Sequence, residues 1–448
     1  MPYILNTQKD IQEMLNAIGA RSVEELYTQI PAQIKLNGLL DLPAGKSEFE
    51  VKKAVTALAD KNIAIDKFNS FLGAGCYGHY IPAVVPYILS LPQFLTAYTP
   101  YQAECSQGIL QAIYEYQSFI CLLTGMDVTC ASLLDGASAF AEAVLMSLRL
   151  TKRKKVFISE FLHPEYKKTL HTYLSGFDFI VQEIKTSDRG FVDRELLKQA
   201  IDNDTACFVF ANPNFLGLVE DTQDIVNIVK EKKALTVMAV NPLSLALFKE
   251  PGLLDIDIVC GDGQPLGGSL SFGGSCFGFL AAKKEYLRQV PGRIAGKAAD
   301  NEGKSAFCLT LAAREQHIRR EKAVSNICSN QSLNTIGAAV YLSLMGSDGL
   351  KNAALYSFSN AQYLYQCLKE VKGVSIPYSN HFFNEFIWEV ENAAKVVDVL
   401  YGQNIIAGYC LGEVIPEHKN SILSCCTEKK TKEDIDNFVT VLKEMLNG

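Results

Sequence analysis

Residues 205–282 read TACFVFANPNFLGLVEDTQDIVNIVKEKKALTVMAVNPLSLALFKEPGLLDIDIVCGDGQPLGGSLSFGGSCFGFLAA. Four short apolar runs stand out: TACFVFANP, ALTVMAV, DIDIVCGDG and CFGFLAA. Between the first two lies EDTQDIVNIVKEKK, apolar on one helical face only. Continuously apolar strands spaced by amphipathic helices predict a mostly parallel sheet covered on both faces. Upstream the alternation continues, with KKVFIS and FDFIVQEI as strands and HPEYKKTLHTYLSG and DRELLKQAID as helices. GILQAIYEYQSFICLLTG and GASAFAEAVLMSLRL add two further helices, the first stopped at Gly125.

Further out the character changes. Residues 1–70 read as a helical segment, with a capping box suggested by Ser22 and Glu25. From 71 to 107 Gly, Pro and Tyr dominate, which predicts irregular backbone around one short helix. A polar stretch follows at 291–335. The end of the chain, with FFNEFIWEV, ENAAKVVDVLYGQN, SILSCC and a helix capped at Thr431, predicts a small α+β domain. The expected divisions are 1–70, a large α/β domain at 71–330 and a small domain at 331–448.

Composition narrows the function. The 448 residues are 48% hydrophobic, with a net charge of −7, so large cores are expected and nucleic acid is not the expected partner. The 13 cysteines form no spaced framework, which suits a reducing compartment, and a cytoplasmic location is expected. No apolar stretch reaches the ~20 residues that span a bilayer. Three lysine–glycine pieces fail as phosphate loops: Leu40 and Ala298 stand where the first glycine belongs, and GRIAGKA is one residue short. Gly261-Asp-Gly263 misses the dinucleotide fingerprint at Leu266. The six histidines lack metal-ligand spacing and no CxxC pair occurs, so no metal is expected. His163 and His171 read as helix-surface residues.

Two segments carry candidate chemistry. Tyr98-Thr99-Pro100-Tyr101-Gln102 clusters phenols, a hydroxyl and an amide around a proline turn. It is either a packed turn or the polar wall of a small-substrate site, with His79 from the preceding loop beside it. Residues 261–278 hold seven glycines. They form either a flexible loop or a close backbone approach to a ligand or subunit. Phe272 and Phe277 around Gly273-Gly274 favour the second.

AYTPYQAECSQGILQAIYEYQ, LTGMDVTCASLLDGASAFAEA and GDGQPLGGSLSFGGSCFGFLA together resemble the P-protein family of the glycine cleavage system. More narrowly, they resemble its split bacterial form, subunit 1 of glycine dehydrogenase (decarboxylating). The resemblance implies the pyridoxal phosphate-dependent transferase fold of type I. It also implies glycine as substrate, transfer of the aminomethyl group to the lipoylated H-protein, and pairing with subunit 2 as a heterotetramer. Against that pattern, Asn241 stands where the acid facing the pyridine nitrogen belongs, and Gln264 stands in the region of the Schiff-base lysine. No lysine occurs between Lys249 and Lys283. The implied cofactor therefore belongs on subunit 2, near this chain's Gly273 and Gly274, and the chain alone is expected to be inactive. Cys130, where the family usually has Asn, reads as a core thiol. A scaffold that only stabilises its partner is the alternative.

Overall fold

The computed structural model describes residues 5–36, 38, 40–274, 276–378 and 381–447. The chain divides into two units, 1–64 and 65–448. In the first, helix α1 (Gln8–Ile18) carries a capping box from Thr7 and Asp10, and α2 (Glu48–Ala59) carries one from Ser47 and Glu50. Ser22 makes no cap hydrogen bond. Glu25 instead accepts the Arg21 amide, and Val23–Tyr27 is a 3-10 turn rather than a capped α-helix.

The second unit opens with β1 (Asn69–Ser70) and two short helices where one was expected, α3 (Val84–Ser90) and α4 (Pro92–Leu95). Pro92 cannot continue α3 but suits the first turn of α4, so the chain bends between them. Helix α5 (Gln107–Thr124) leads into a seven-stranded sheet of β2 (Val128–Thr129), β3 (Lys155–Ser159), β4 (Ile180–Ile184), β5 (Thr205–Ala211), β6 (Leu235–Ala239), β7 (Ile258–Asp262) and β8 (Gly278–Ala282). Their spatial order is β2-β8-β7-β6-β5-β3-β4. Strands β3 to β7 pair in parallel, and β8 returns antiparallel to β7. The covering helices are α6 (Gly136–Thr151), α7 (Pro164–Leu174), α8 (Arg194–Ala200) and α9 (Thr222–Glu231). Cys207, Phe208, Val209 and Phe210 on β5 are all fully buried, which is why that strand reads as one apolar run rather than an alternation.

The polar stretch after 291 holds an antiparallel hairpin, β9 (Ile294–Ala299) and β10 (Ser305–Thr310), that its composition did not announce. Its inner side is buried mainly by α5, so a strand half polar in sequence is held by packing rather than propensity. The short α10 (Gln316–Arg319) precedes α11 (Ser332–Lys369), which is broken at Gly346, where φ is 58°. The C-terminal sheet orders β11 (Val374–Ser375), β12 (Glu385–Val390), β15 (Ser421–Cys425) and β14 (Tyr409–Cys410). It packs with α12 (Ala393–Tyr401) and α13 (Lys432–Asn447) around Trp388, Phe386 and Phe438. Strand β13 (Ile405–Ile406) pairs with β1, so residues 69–70 join this C-terminal layer.

Candidate functional site

In an open parallel sheet, ligands bind beyond the carboxyl ends of the strands. Here the ends of β5, β6 and β7 bring Ala211, Asn241 and Asp262 to a cavity of about 80 Å³. Tyr77 and His163 close it from the loops, Tyr166 from α7 and Glu385 from β12. Asn241 accepts the Leu243 amide at 3.0 Å, and its buried Nδ2 finds no partner among the described residues. Gln264 is 2% exposed and fully engaged: it accepts the Tyr77 amide at 2.9 Å and donates to the Tyr77 and Gly268 carbonyls, both at 2.8 Å. It works as a clamp on the 74–79 loop.

Asp262 ends β7 and turns onto the N-terminus of α6. Its Oδ2 accepts the Gly136 amide at 3.0 Å and its Oδ1 accepts the Gln264 amide at 2.8 Å. Burial pushes this carboxyl up to about 6 against those two hydrogen bonds. A helix N-terminus is an anion site, and here the chain's own carboxylate occupies it. A Cβ on Gly136 would lie 2.0 Å from the Tyr166 hydroxyl and 2.8 Å from Asp262, so the space ahead of the helix is full. Glu385 accepts the Tyr77 hydroxyl at 2.6 Å and the Ala74 amide at 3.0 Å, and burial pushes it up to about 7.

His163 is not the helix-surface residue its sequence position suggested. It caps α7: Nδ1 accepts the Glu165 amide at 3.1 Å, which leaves Nε2 as the donor to the Ala74 carbonyl at 3.0 Å. Burial lowers its proton affinity, so the ring is held neutral. His171 is exposed on the same helix, as expected. Cys130 is fully buried, its thiol pushed up to about 12 by burial.

The tyrosine segment lies elsewhere and has its own anchors. Tyr98 is 77% and Tyr101 55% exposed, Gln102 is exposed, Thr99 is half-buried and Pro100 is buried. The Tyr101 oxygen accepts from Arg293 Nη2 at 2.8 Å, and its ring meets His317 edge-on at 5.8 Å. His79 belongs to a different network: it is 7% exposed, with Nδ1 2.7 Å from Glu428. Burial alone would raise the Glu428 carboxyl, yet His79 and the Tyr80 amide hold it below its ordinary range. In the glycine-rich loop, Phe272 is 94% exposed while Phe277 is in the core. The two flanks therefore face different ways, and Gly273, with φ +85°, and Gly274 have open space around them. Sequence reasoning missed Asp262, Glu385 and Arg293. Arg293 follows a Pro-Gly turn, but 192 residues separate it from Tyr101.

This fold, with its cleft beyond the parallel strands, defines the class by architecture: the pyridoxal phosphate-dependent transferase fold of type I. A solved NifS-like protein shares the fold at a TM-score of 0.64 and 16% identity, covering 84% of this chain and 99% of that one. The family model described as "Glycine cleavage system P-protein" matches residues 1–442, and the chain belongs to that family. The "Probable glycine dehydrogenase (decarboxylating) subunit 1" of Carboxydothermus hydrogenoformans is 47% identical over 442 residues, 99% of each chain. A solved glycine decarboxylase (P-protein) of the glycine cleavage system, in inhibitor-bound form, superposes with a TM-score of 0.90 at 38% identity, over 99% of this chain and 100% of that one.

The family implies pyridoxal phosphate, and this chain's cavity does not fit it. An apolar cavity of roughly 150 Å³ accommodates a benzene. The present one is about 80 Å³, far too small for a phosphorylated pyridine. The Gly136 N–H at the start of α6 is already bonded to Asp262, and among the described residues no lysine lines the cavity.

Proposed function

We propose that this chain is the partner subunit of a glycine decarboxylase in which subunit 2 carries the cofactor. With subunit 2 it decarboxylates glycine and passes the aminomethyl group to the lipoyl arm of the H-protein, and it is inactive alone. The observation that carries this reading is the self-filled, lysine-free cavity at the strand ends of a chain otherwise built throughout like its relatives. The cofactor on subunit 2 supplies the electron sink for decarboxylation. This chain contributes Tyr98, Thr99, Tyr101 and Gln102 as neutral donors that orient the carboxylate of glycine and help exclude water, with Gly273 and Gly274 approaching the cofactor. His79 stiffens the preceding loop through Glu428. Neutral donors suit the reaction, because they do not over-stabilise the ground-state carboxylate as a buried arginine would.

The scaffold reading draws on one observation: the Tyr101 oxygen already has a partner in Arg293. Tyr98→Phe and Tyr101→Phe in the co-expressed complex separate the two. Each keeps its ring and loses one hydroxyl, so assembly and cofactor content stay intact. At least one variant should lower turnover by about 10²-fold, the usual cost of a lost oxyanion donor. Normal turnover in both makes the segment structural and the chain a scaffold.

A further inference from the structure

Arg293 stands behind the exposed Tyr101 ring. Its backbone is pinned by the Ala131 amide, which donates to the Arg293 carbonyl at 2.7 Å, after a turn at Gly292 with φ +73°. Its side chain is 6% exposed. Nη1 donates to the Cys328 carbonyl at 2.7 Å and Nη2 to the Tyr101 oxygen at 2.8 Å. Glu315 balances the charge loosely, at 3.5 Å from Nε, and both Nε and Glu315 Oε1 are buried without a hydrogen-bond partner. The firm contacts of this buried cation are thus a carbonyl and a phenol.

A guanidinium can only donate, so the Tyr101 oxygen must accept, and the phenol proton is left for another group. Among the described residues no acceptor receives it. An oxygen that accepts from a cation also donates more strongly. Anchoring a side chain costs conformational entropy, and a ring that remains 55% exposed recovers little of it by burial. The arrangement makes sense if the anchored proton is meant for a ligand. We propose that Arg293 is a positioning residue that fixes Tyr101 and directs its hydroxyl proton to the carboxylate of the bound amino acid. The inference rests on the reading that residues 98–102 face the partner's site.

The test uses the co-expressed two-subunit complex, with glycine as substrate and methylamine, which has the amine but no carboxylate, as competitive inhibitor. Tyr101→Phe and Arg293→Gln should each lower kcat/KM for glycine at least ~10-fold, below the full loss of an oxyanion donor. The double variant should be within about twofold of Tyr101→Phe alone, because the arginine acts through the phenol. Inhibition by methylamine should stay within about twofold of the parent in all three, a discrimination that general loosening of the fold would not give. If Arg293→Gln fails to assemble, Arg293→Lys, which keeps the charge but not the two-point geometry, carries the same comparison. Arg293 variants that leave glycine kinetics intact while Tyr101→Phe impairs them overturn the inference and leave the proposed function standing. Losses that multiply in the double variant do the same. A silent Tyr101→Phe removes both the inference and the tyrosine's assigned role.

Discussion

Lys283 follows β8 and forms ion pairs with Asp255 at 2.6 Å and Asp257 at 2.7 Å. Because β8 runs antiparallel to β7, its end lies at the edge where the parallel strands begin, opposite the cavity. Lys284 sits beside it, its amide bonded to Asp127. Neither amine can reach Asn241 or Asp262 without unpicking the sheet. Borohydride reduction of the purified chain with pyridoxal phosphate should therefore trap no stoichiometric lysine adduct, and the chain should gain no visible cofactor band. A specific adduct on Lys283 or Lys284, mapped by mass spectrometry, would falsify the assignment of the cofactor to subunit 2. At this scale the sequence was partly legible. The residue types Asn241 and Gln264 already spoke against imine chemistry. That Asp262 bonds the amide of Gly136, 126 residues away, was not legible, since nothing local couples those positions.

Strand β12 begins at Glu385, which ties the C-terminal sheet to the loop carrying Ala74 and Tyr77. The apolar run FIWEV gave the strand, but not that its first residue is a buried carboxyl. In the folded chain Glu385 holds its proton up to about 7, against an ordinary value of 4.5. Its stabilising contribution is complete below the ordinary value and is lost as pH rises toward about 7, because the native state binds the proton more tightly than the unfolded one. Each tenfold difference in proton affinity is worth about 1.4 kcal/mol, so the loss amounts to a few kcal/mol at most. Glu385→Gln still accepts the Ala74 amide and can donate to the Tyr77 oxygen. Thermal melts should show the variant losing less Tm than the parent between about pH 5 and pH 7.5. A residual slope is expected from Glu220, which burial also pushes up to about 7. Parallel curves for the two proteins would show that Glu385 does not titrate in this range.

Across the whole molecule, much apolar surface remains uncovered. On α2 alone Phe49, Val51, Val55 and Leu58 are 77%, 45%, 57% and 62% exposed, and Phe272 and Tyr98 add large exposed rings in the second unit. Soluble monomers rarely leave such groups clustered, and obligate interfaces resemble a core cut in half. Co-expression with subunit 2 should give a stable mixed oligomer on size exclusion, while the chain alone should self-associate or aggregate. A well-behaved monomer indifferent to subunit 2 would contradict the proposed pairing. Among the described residues no helix is long and apolar enough to cross a membrane.

The alternation of apolar strands with amphipathic helices determined the α/β architecture by itself, because a strand buried on both faces must be apolar throughout, as β5 is. The three long motifs likewise carried the family. The hairpin of β9 and β10 escaped, because its burial comes from α5, far off in sequence. The site divided the same way. Which residues were missing could be read from the order of side chains along the strands. What fills their place could not: Asp262 on the α6 amide, Gln264 clamped on Tyr77, Glu385 under the Tyr77 hydroxyl and Arg293 behind Tyr101 are contacts between segments 126 to 308 residues apart. Hydrophobic periodicity is a local property that each segment carries alone, whereas a hydrogen bond between distant segments exists only once packing has brought them together.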